Sequence, residues 1–263
     1  MTQAEPHIKA GFVSPLRLFG RKALDFLLPP QCLSCSALIE QGGALCPDCW
    51  QAVTFIAKPH CSICGLPFEF DDPGTLPSDE NLCGSCIARP PVFQRARAVL
   101  AYDDASAPFI LSFKHGDRTE AASAFARWMA RAGADVLDNA EVIAPVPLHW
   151  TRLFRRRYNQ AALLGQSLSN FSGVPAIPDL LLRKRPTSVQ GRLSPAGRKR
   201  NVSGAFQLRA KHSRTIAAKR VLLVDDVLTT GATVSAVTRT LLAGGAASVD
   251  VLTLGRVLRP FPL

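Results

Sequence analysis

The stretch Val221-Leu222-Leu223-Val224-Asp225-Asp226-Val227-Leu228-Thr229-Thr230-Gly231-Ala232-Thr233 decides the fold. Its four leading apolar residues predict a strand covered on both sheet faces. Two acids follow, then a small-residue loop, then a helix from about Thr233 to Ala243 that stops at Gly244-Gly245. A helix start offers free N–H groups and the positive end of the dipole, which suits a phosphate. Thr229, Thr230 and Thr233 can add hydroxyl donors, and Gly231 lets the backbone come close. On a straight strand Asp225 and Asp226 point to opposite faces. Both can serve one ligand only where the strand ends and the chain turns, and the sequence puts them there. Carboxylates would repel a phosphate, so they suit sugar hydroxyls or a metal-bridged ligand. A nucleotide-hydrolysing P-loop would need Gly-x-x-x-x-Gly-Lys-Ser/Thr, and the chain contains none; Gly-x-Gly-x-x-Gly is also absent.

Elements on either side of this stretch extend the pattern. Ser248 to Leu254 reads as the strand that closes the sheet. Upstream, Ala96, Ala98, Leu100 and Tyr102 alternate with Arg95, Arg97 and Val99, which predicts a half-exposed strand. Glu120 to Leu137 reads as a helix with Phe125, Trp128, Met129 and Val136 on one side. Glu141 to Val146 is a short apolar strand, and Tyr158 to Phe171 a further helix. Alternating strands and helices predict an α/β domain with a parallel sheet flanked by helices.

Residues 31–90 are different. They are rich in Cys, Gly and Pro, cannot build much of a core, and need a staple. All eight cysteines fall in four Cys-x-x-Cys pairs: Cys32/Cys35, Cys46/Cys49, Cys61/Cys64 and Cys83/Cys86. Two such turns complete one tetrahedral four-thiolate zinc site, so the pairs predict two structural Zn²⁺ sites with no catalytic role. Short intervening loops favour pairing in sequence order, giving a double zinc ribbon, while an interleaved pairing stays open. Pro47, Gly65, Pro67 and Gly84 fit the tight turns of such knuckles. Four disulfides are the rival reading, disfavoured in a reducing compartment. His60, beside Cys61, reads as a surface residue.

With 47% hydrophobic and 19% charged residues, the 263-residue chain is a folded protein rather than a disordered one. Its net charge is +11, and sixteen of the 31 Lys and Arg lie between Glu141 and Asp225, where Asp179 is the only acid. A local excess of that size predicts an anionic partner. No apolar run reaches membrane-span length and no signal-peptide pattern opens the chain, so a cytoplasmic location is expected. Residues 16–28 place leucines and phenylalanines on a rough helical stripe stopped by Pro29-Pro30, read as a short packing helix, with a membrane-surface helix as the alternative. The expected organisation is residues 1–30 as a tail and short helix, 31–90 as the double zinc ribbon, and 91–263 as the α/β domain.

The stretch 221–233 resembles the 5-phosphoribosyl-1-pyrophosphate (PRPP) motif of type I phosphoribosyltransferases. That resemblance implies the type I phosphoribosyltransferase fold. It assigns Asp225 and Asp226 to the ribose hydroxyls, and Leu228, Thr229, Thr230, Gly231, Ala232 and Thr233 to the 5-phosphate. By the same resemblance a loop after an earlier strand binds pyrophosphate, here Pro147 and Leu148 in Pro-Val-Pro-Leu-His. Arg152, Arg155, Arg156 and Arg157 follow, of which one or two are expected to meet the ligand. Residues Arg183 to Ala205 resemble the family's flexible loop and carry Gln190, Arg192, Arg198, Lys199, Arg200 and Asn201. A basic lid of this kind excludes water and neutralises leaving pyrophosphate.

The whole layout also resembles the competence protein F (ComF) family of bacteria, over roughly residues 15–257. It comprises the four knuckles, Pro-Val-Pro-Leu-His, Arg-Arg-Arg-Tyr-Asn-Gln, Arg-x-x-Asn-Val-x-Gly-Ala-Phe and the PRPP motif. Phe113-Lys114-His115-Gly116-Asp117 is similar to an early turn of that family. The resemblance implies PRPP with Mg²⁺ as ligand and a pyrophosphate-displacing transfer to a nitrogen acceptor it does not identify. No cysteine follows Met1, so ammonia release from glutamine is not expected on this chain. The alternative it implies is a non-catalytic single-stranded DNA-binding factor in DNA uptake, with Phe68, Phe70, Phe93 and Trp150 as stacking candidates. A homodimer is among the assemblies allowed.

Overall fold

A computed structural model of the chain describes residues 29–68, 81–115, 118–185, 202 and 204–258, with the side chains of His115 and Arg155 left aside. The helix expected over 16–28, the lid residues Gln190, Arg192, Arg198, Lys199, Arg200 and Asn201, and Phe70, Gly116 and Asp117 lie outside the described residues.

Four strands form the main sheet: β1 (Ala96–Ala101), β2 (Val142–Pro145), β5 (Arg220–Leu228) and β6 (Ser248–Arg256). Their order is β1-β6-β5-β2 and every pairing is parallel. The last strand in sequence is therefore an interior one. A two-stranded antiparallel ribbon, β3 (Leu181–Arg183) with β4 (Phe206–Leu208), forms a second sheet. The helices are α1 (Pro47–Ala52), α2 (Gly84–Ala88), α3 (Ala107–His115), α4 (Ala121–Ala132), α5 (Ala134–Leu137), α6 (Trp150–Arg156), α7 (Gln160–Ser172), α8 (Ser213–Ile216) and α9 (Ala232–Ala243).

Two cores cover the two faces of the sheet. On one, Leu100, Phe109, Phe113, Phe125, Met129, Ile143, Leu164 and Leu222 are fully or almost fully buried together. On the other, Leu223, Val237, Leu241 and Val251 pack with Phe206 of the ribbon. Val221 to Val224 are buried throughout, as their unbroken apolar run requires.

Three expectations change. Strand β1 is buried along its full length instead of half exposed. The third cysteine knuckle, Cys61 to Cys64, covers it: Ala96 N–H donates to Ile63 O at 2.6 Å, and Arg97 Nη1 to Ser62 O at 3.0 Å. Arg97 is thereby buried with its charge met by Asp135 at 2.8 Å. The helix read from Glu120 to Leu137 is two helices, split at Gly133. A Cβ there would stand 2.5 Å from a Leu252 methyl, so this turn rests on the sheet where a side chain would not fit. Phe113 and Lys114 belong to the end of α3 rather than to a turn.

The cysteine region also contributes more core than its composition suggested, because Cys32, Leu33, Leu45 and Val53 join the main cluster. Gly65 carries the contact on the other side. Its φ is +70°, and an added Cβ would stand 2.5 Å from Ala96 O. Both the left-handed backbone and the clash resist a side chain. Gly65→Ala is expected to cost about 2–3 kcal/mol in chemical denaturation with both zinc ions retained. A change below about 0.5 kcal/mol would show that the knuckle does not clamp β1.

Candidate functional site

A cleft of about 770 Å³ opens at the carboxyl ends of β1, β2 and β5. In an open parallel sheet this is where ligands are received. Strand β2 stops at Pro145, level with Val224, and the rung Val146 N–H to Val224 O at 2.9 Å is the last on that side. Strand β5 runs on to Leu228 and stays paired with β6. Asp225 and Asp226 therefore lie within a strand, not at its end as expected from the sequence. Both still line the cleft, because loss of the β2 neighbour opens one edge of β5.

Leu228, Thr229, Gly231 and Thr233 line the cleft; Thr230, Ala232 and Pro147 do not. Gly231 caps α9 with φ of +73°, a conformation that glycine adopts without strain. Thr230 Oγ1 accepts from Ala232 N–H at 3.4 Å, so this hydroxyl organises the turn. From the β2 side come Val146 and Leu148, then Arg152, Arg156 and Arg157, more of the arginines than expected. His149 is buried and caps α6, its Nδ1 accepting from Thr151 N–H at 3.4 Å.

Three further polar lining residues were not singled out as ligand contacts: Tyr102, Lys114 and Arg183. Lys114 Nζ sits 3.2 Å from Asp226 Oδ1. Arg183, on β3, is buried with its guanidinium 5.3 Å from the Phe206 ring centre. Lys184 N–H donates to Ala205 O at 2.8 Å, so the segment expected to form the lid leaves and returns beside Arg183.

The charges are strongly coupled. Burial and then the neighbouring Asp226 charge push the Asp225 carboxyl up to about 7, against the Asp226 N–H, Lys114 and Arg183. Burial, with Arg152 close by, brings Arg183 down to about 10. An acid raised by folding favours the folded state below its ordinary value of 3.8, and that benefit is lost as pH rises through about 7. Asp225→Asn, uncharged throughout, is expected to gain about 2 kcal/mol on wild type between pH 4 and pH 8, after allowance for solvent screening. Parallel stability–pH curves for the two proteins would reject that assignment.

The sulfur atoms of Cys32, Cys35, Cys46 and Cys49 lie within 4.8 Å of one another, as do those of Cys61, Cys64, Cys83 and Cys86. Pairing is thus in sequence order, and the interleaved alternative is excluded. A tetrahedral zinc with Zn–S of about 2.3 Å has sulfur–sulfur edges of about 3.8 Å. Cys35 to Cys46 is 3.7 Å and Cys64 to Cys83 is 3.6 Å, so both tetrads fit the ion. Burial raises the Cys32 thiol, but the N–H groups of Cys35, Cys46 and Ser34 outweigh it and bring it down to about 6. Burial and the neighbouring thiols push Cys49 up to about 12. Only a cation makes four such groups ionise together. His60 is half-buried rather than a surface residue, and belongs to neither tetrad.

Of the stacking candidates, Phe93 is in the core and Phe68 packs against the second tetrad. Trp150 is 70% exposed, and Phe154 is 87% exposed two residues from the cleft's Arg156. No helix among the described residues is long and apolar enough to cross a membrane.

A parallel sheet, this cleft and two cysteine tetrads define a phosphoribosyltransferase-type domain carrying a double zinc ribbon. Family models agree: "Double zinc ribbon domain" matches residues 23–87 and "Phosphoribosyl transferase domain" matches residues 184–257. The DNA utilization protein YhgH of Escherichia coli K12 is 35% identical over 88% of this chain and 99% of its own length. Competence protein F of Haemophilus influenzae is 29% identical over 86% of this chain and 96% of its own. The chain belongs to the competence protein F (ComF) family. Among solved structures it is similar to the allosteric regulatory enzyme of purine biosynthesis, at 20% identity over 55% of this chain and 30% of that one. With a TM-score of 0.37 that likeness carries no weight, and the fold rests on the sheet and the family models.

Proposed function

We propose that the cleft binds PRPP with Mg²⁺ and that the chain is a phosphoribosyltransferase-like protein releasing pyrophosphate to a nitrogen acceptor. The observation that carries this is the union, in one cleft, of adjacent carboxylates, a helix start and a cluster of arginines. Asp225 and Asp226 accept hydrogen bonds from the ribose 2′- and 3′-hydroxyls. The turn from Leu228 to Thr233 receives the 5-phosphate at the start of α9. Arg152, Arg156 and Arg157 take the pyrophosphate as charged donors. Mg²⁺, if it entered with PRPP beside Asp225 and Asp226, would supply positive charge that offsets the charge gathering on the leaving pyrophosphate. The C1–O bond breaks with its electron pair leaving on pyrophosphate, while the acceptor nitrogen forms the C1–N bond and loses its proton to water. The acid pair offsets the positive charge that develops on the sugar. Gln190, Arg198 and Arg200 bring polar and cationic side chains for the pyrophosphate, and a reducing cytoplasm suits eight zinc-bound thiolates. Calorimetry with PRPP and Mg²⁺ tests the binding, and pyrophosphate release with pooled bases and amines tests turnover. A flat titration rejects the site.

A second reading has its own support. Exposed Trp150 and Phe154 share α6 with Arg152 and Arg156, an arrangement on which single-stranded DNA bases can stack beside neutralised phosphates. Anisotropy with labelled single strands should then fall steeply with salt and weaken on Trp150→Ala with Phe154→Ala. Salt-insensitive or absent binding removes this reading.

A further inference from the structure

Lys114 stands at a junction that the proposed roles of the cleft leave unused. Its ammonium pairs with Asp226 at 3.2 Å, and the two side chains are only 16% and 17% exposed. Its backbone is tied to the arginine side. Gln160, 1% exposed, donates from Nε2 to Lys114 O at 2.9 Å and accepts on Oε1 from Arg156 Nη1 at 3.3 Å. Tyr158 Oη donates to Phe113 O at 2.9 Å, pinning the end of α3 a second time. One flexible ammonium is thereby held between the acid pair and the guanidinium cluster.

The charge balance gives that position a use. Lys114, Arg152, Arg156, Arg157 and Arg183 face two carboxylates across the cleft. A carboxylate engaged with an ammonium has one lone pair fewer for a ribose hydroxyl, so the lysine competes with the sugar. A pyrophosphate at the anomeric carbon concentrates far more charge than one carboxylate and can draw the ammonium away. Lysine suits this because it is a point charge on a long, flexible stem.

On the reading of the cleft as a PRPP site, on which this rests, we propose that Lys114 selects the pyrophosphate-bearing sugar. It blocks Asp226 in the free protein and moves to the pyrophosphate when that group is present. Ribose 5-phosphate, lacking pyrophosphate, leaves the Lys114–Asp226 pair in place and must compete with it. Tyr158 and Gln160 are positioning residues that hold the backbone from which the stem extends, at Phe113 O and Lys114 O.

The test is calorimetry with PRPP and with ribose 5-phosphate, each with Mg²⁺, on wild type, Lys114→Gln, Lys114→Met and Lys114→Arg. The uncharged variants should bind PRPP about tenfold or more weaker while binding ribose 5-phosphate as well as, or better than, wild type. Lys114→Arg should keep most of the preference. If one uncharged variant fails to fold, the other carries the comparison. Equal losses for both ligands, or no loss for PRPP, overturn the role given to Lys114 and leave the PRPP site standing. Failure of the wild type to bind PRPP overturns the PRPP site itself.

Discussion

Asp225→Asn combined with Asp226→Asn should weaken binding of PRPP with Mg²⁺ at least about 100-fold, which is roughly 2.7 kcal/mol. Each substitution removes a charged acceptor from a ribose hydroxyl and replaces it with an amide whose N–H₂ end has the wrong polarity. The acids are consecutive on β5, past the last rung with β2, so no strand on that side supplies a substitute. The fold should survive, because relief of the raised Asp225 carboxyl stabilises the apoprotein above neutral pH. Loss of binding with a melting temperature at or above that of wild type is the expected pair of results. Unchanged affinity would place the ligand elsewhere.

Removing zinc should have the largest effect on stability. Each four-thiolate ion contributes on the order of 10–16 kcal/mol of binding free energy that is coupled to folding. The ribbons do not stand apart from the sheet. The first places Cys32, Leu33 and Leu45 in the main core, and Trp50 of α1 meets Phe55 and Trp128 at 4.5 and 6.4 Å between ring centres. The second covers β1, and Arg256 of β6 donates to Cys64 Sγ at 3.4 Å. Metal analysis should therefore find two zinc ions per chain, and one after Cys61→Ser. That variant should melt about 10 °C or more below wild type. Chelation should also alter tryptophan emission, since Trp50 and Trp128 straddle the ribbon and the sheet domain. An unchanged melting curve after complete zinc removal would mean that the tetrads do not support the fold.

The parts of the site visible in the sequence are those built locally. The run from Val221 to Thr233 places strand, acids, turn and helix in one continuous segment, so its role could be read in order. The cysteine pairs are equally local, and short spacing favoured the observed tetrads. The misreadings come from contacts distant in sequence. Alternation in β1 suggested a solvent face because nothing in residues 95–102 reveals that Ser62, Ile63 and Gly65 lie over it. The acids were placed at a strand end because side-chain alternation seemed to demand it, whereas the opening comes from the shorter neighbour β2. Lys114 and Arg183 reach the cleft from α3 and β3, far from either motif. A signal for Lys114 did exist in the sequence. It is the segment Phe113-Lys114-His115-Gly116-Asp117 with its family resemblance, while the contacts of Tyr158 and Gln160 that hold α3 in place are visible only in the fold.

The decisive measurement is a crystallographic difference map for the protein with PRPP and Mg²⁺ bound. Ribose density should lie against Asp225 and Asp226, with the 5-phosphate at the turn from Leu228 to Thr233 and the pyrophosphate toward Arg152 and Arg156. A clear map with the cleft empty under saturating ligand, or with the sugar turned away from both acids, would contradict the proposed site.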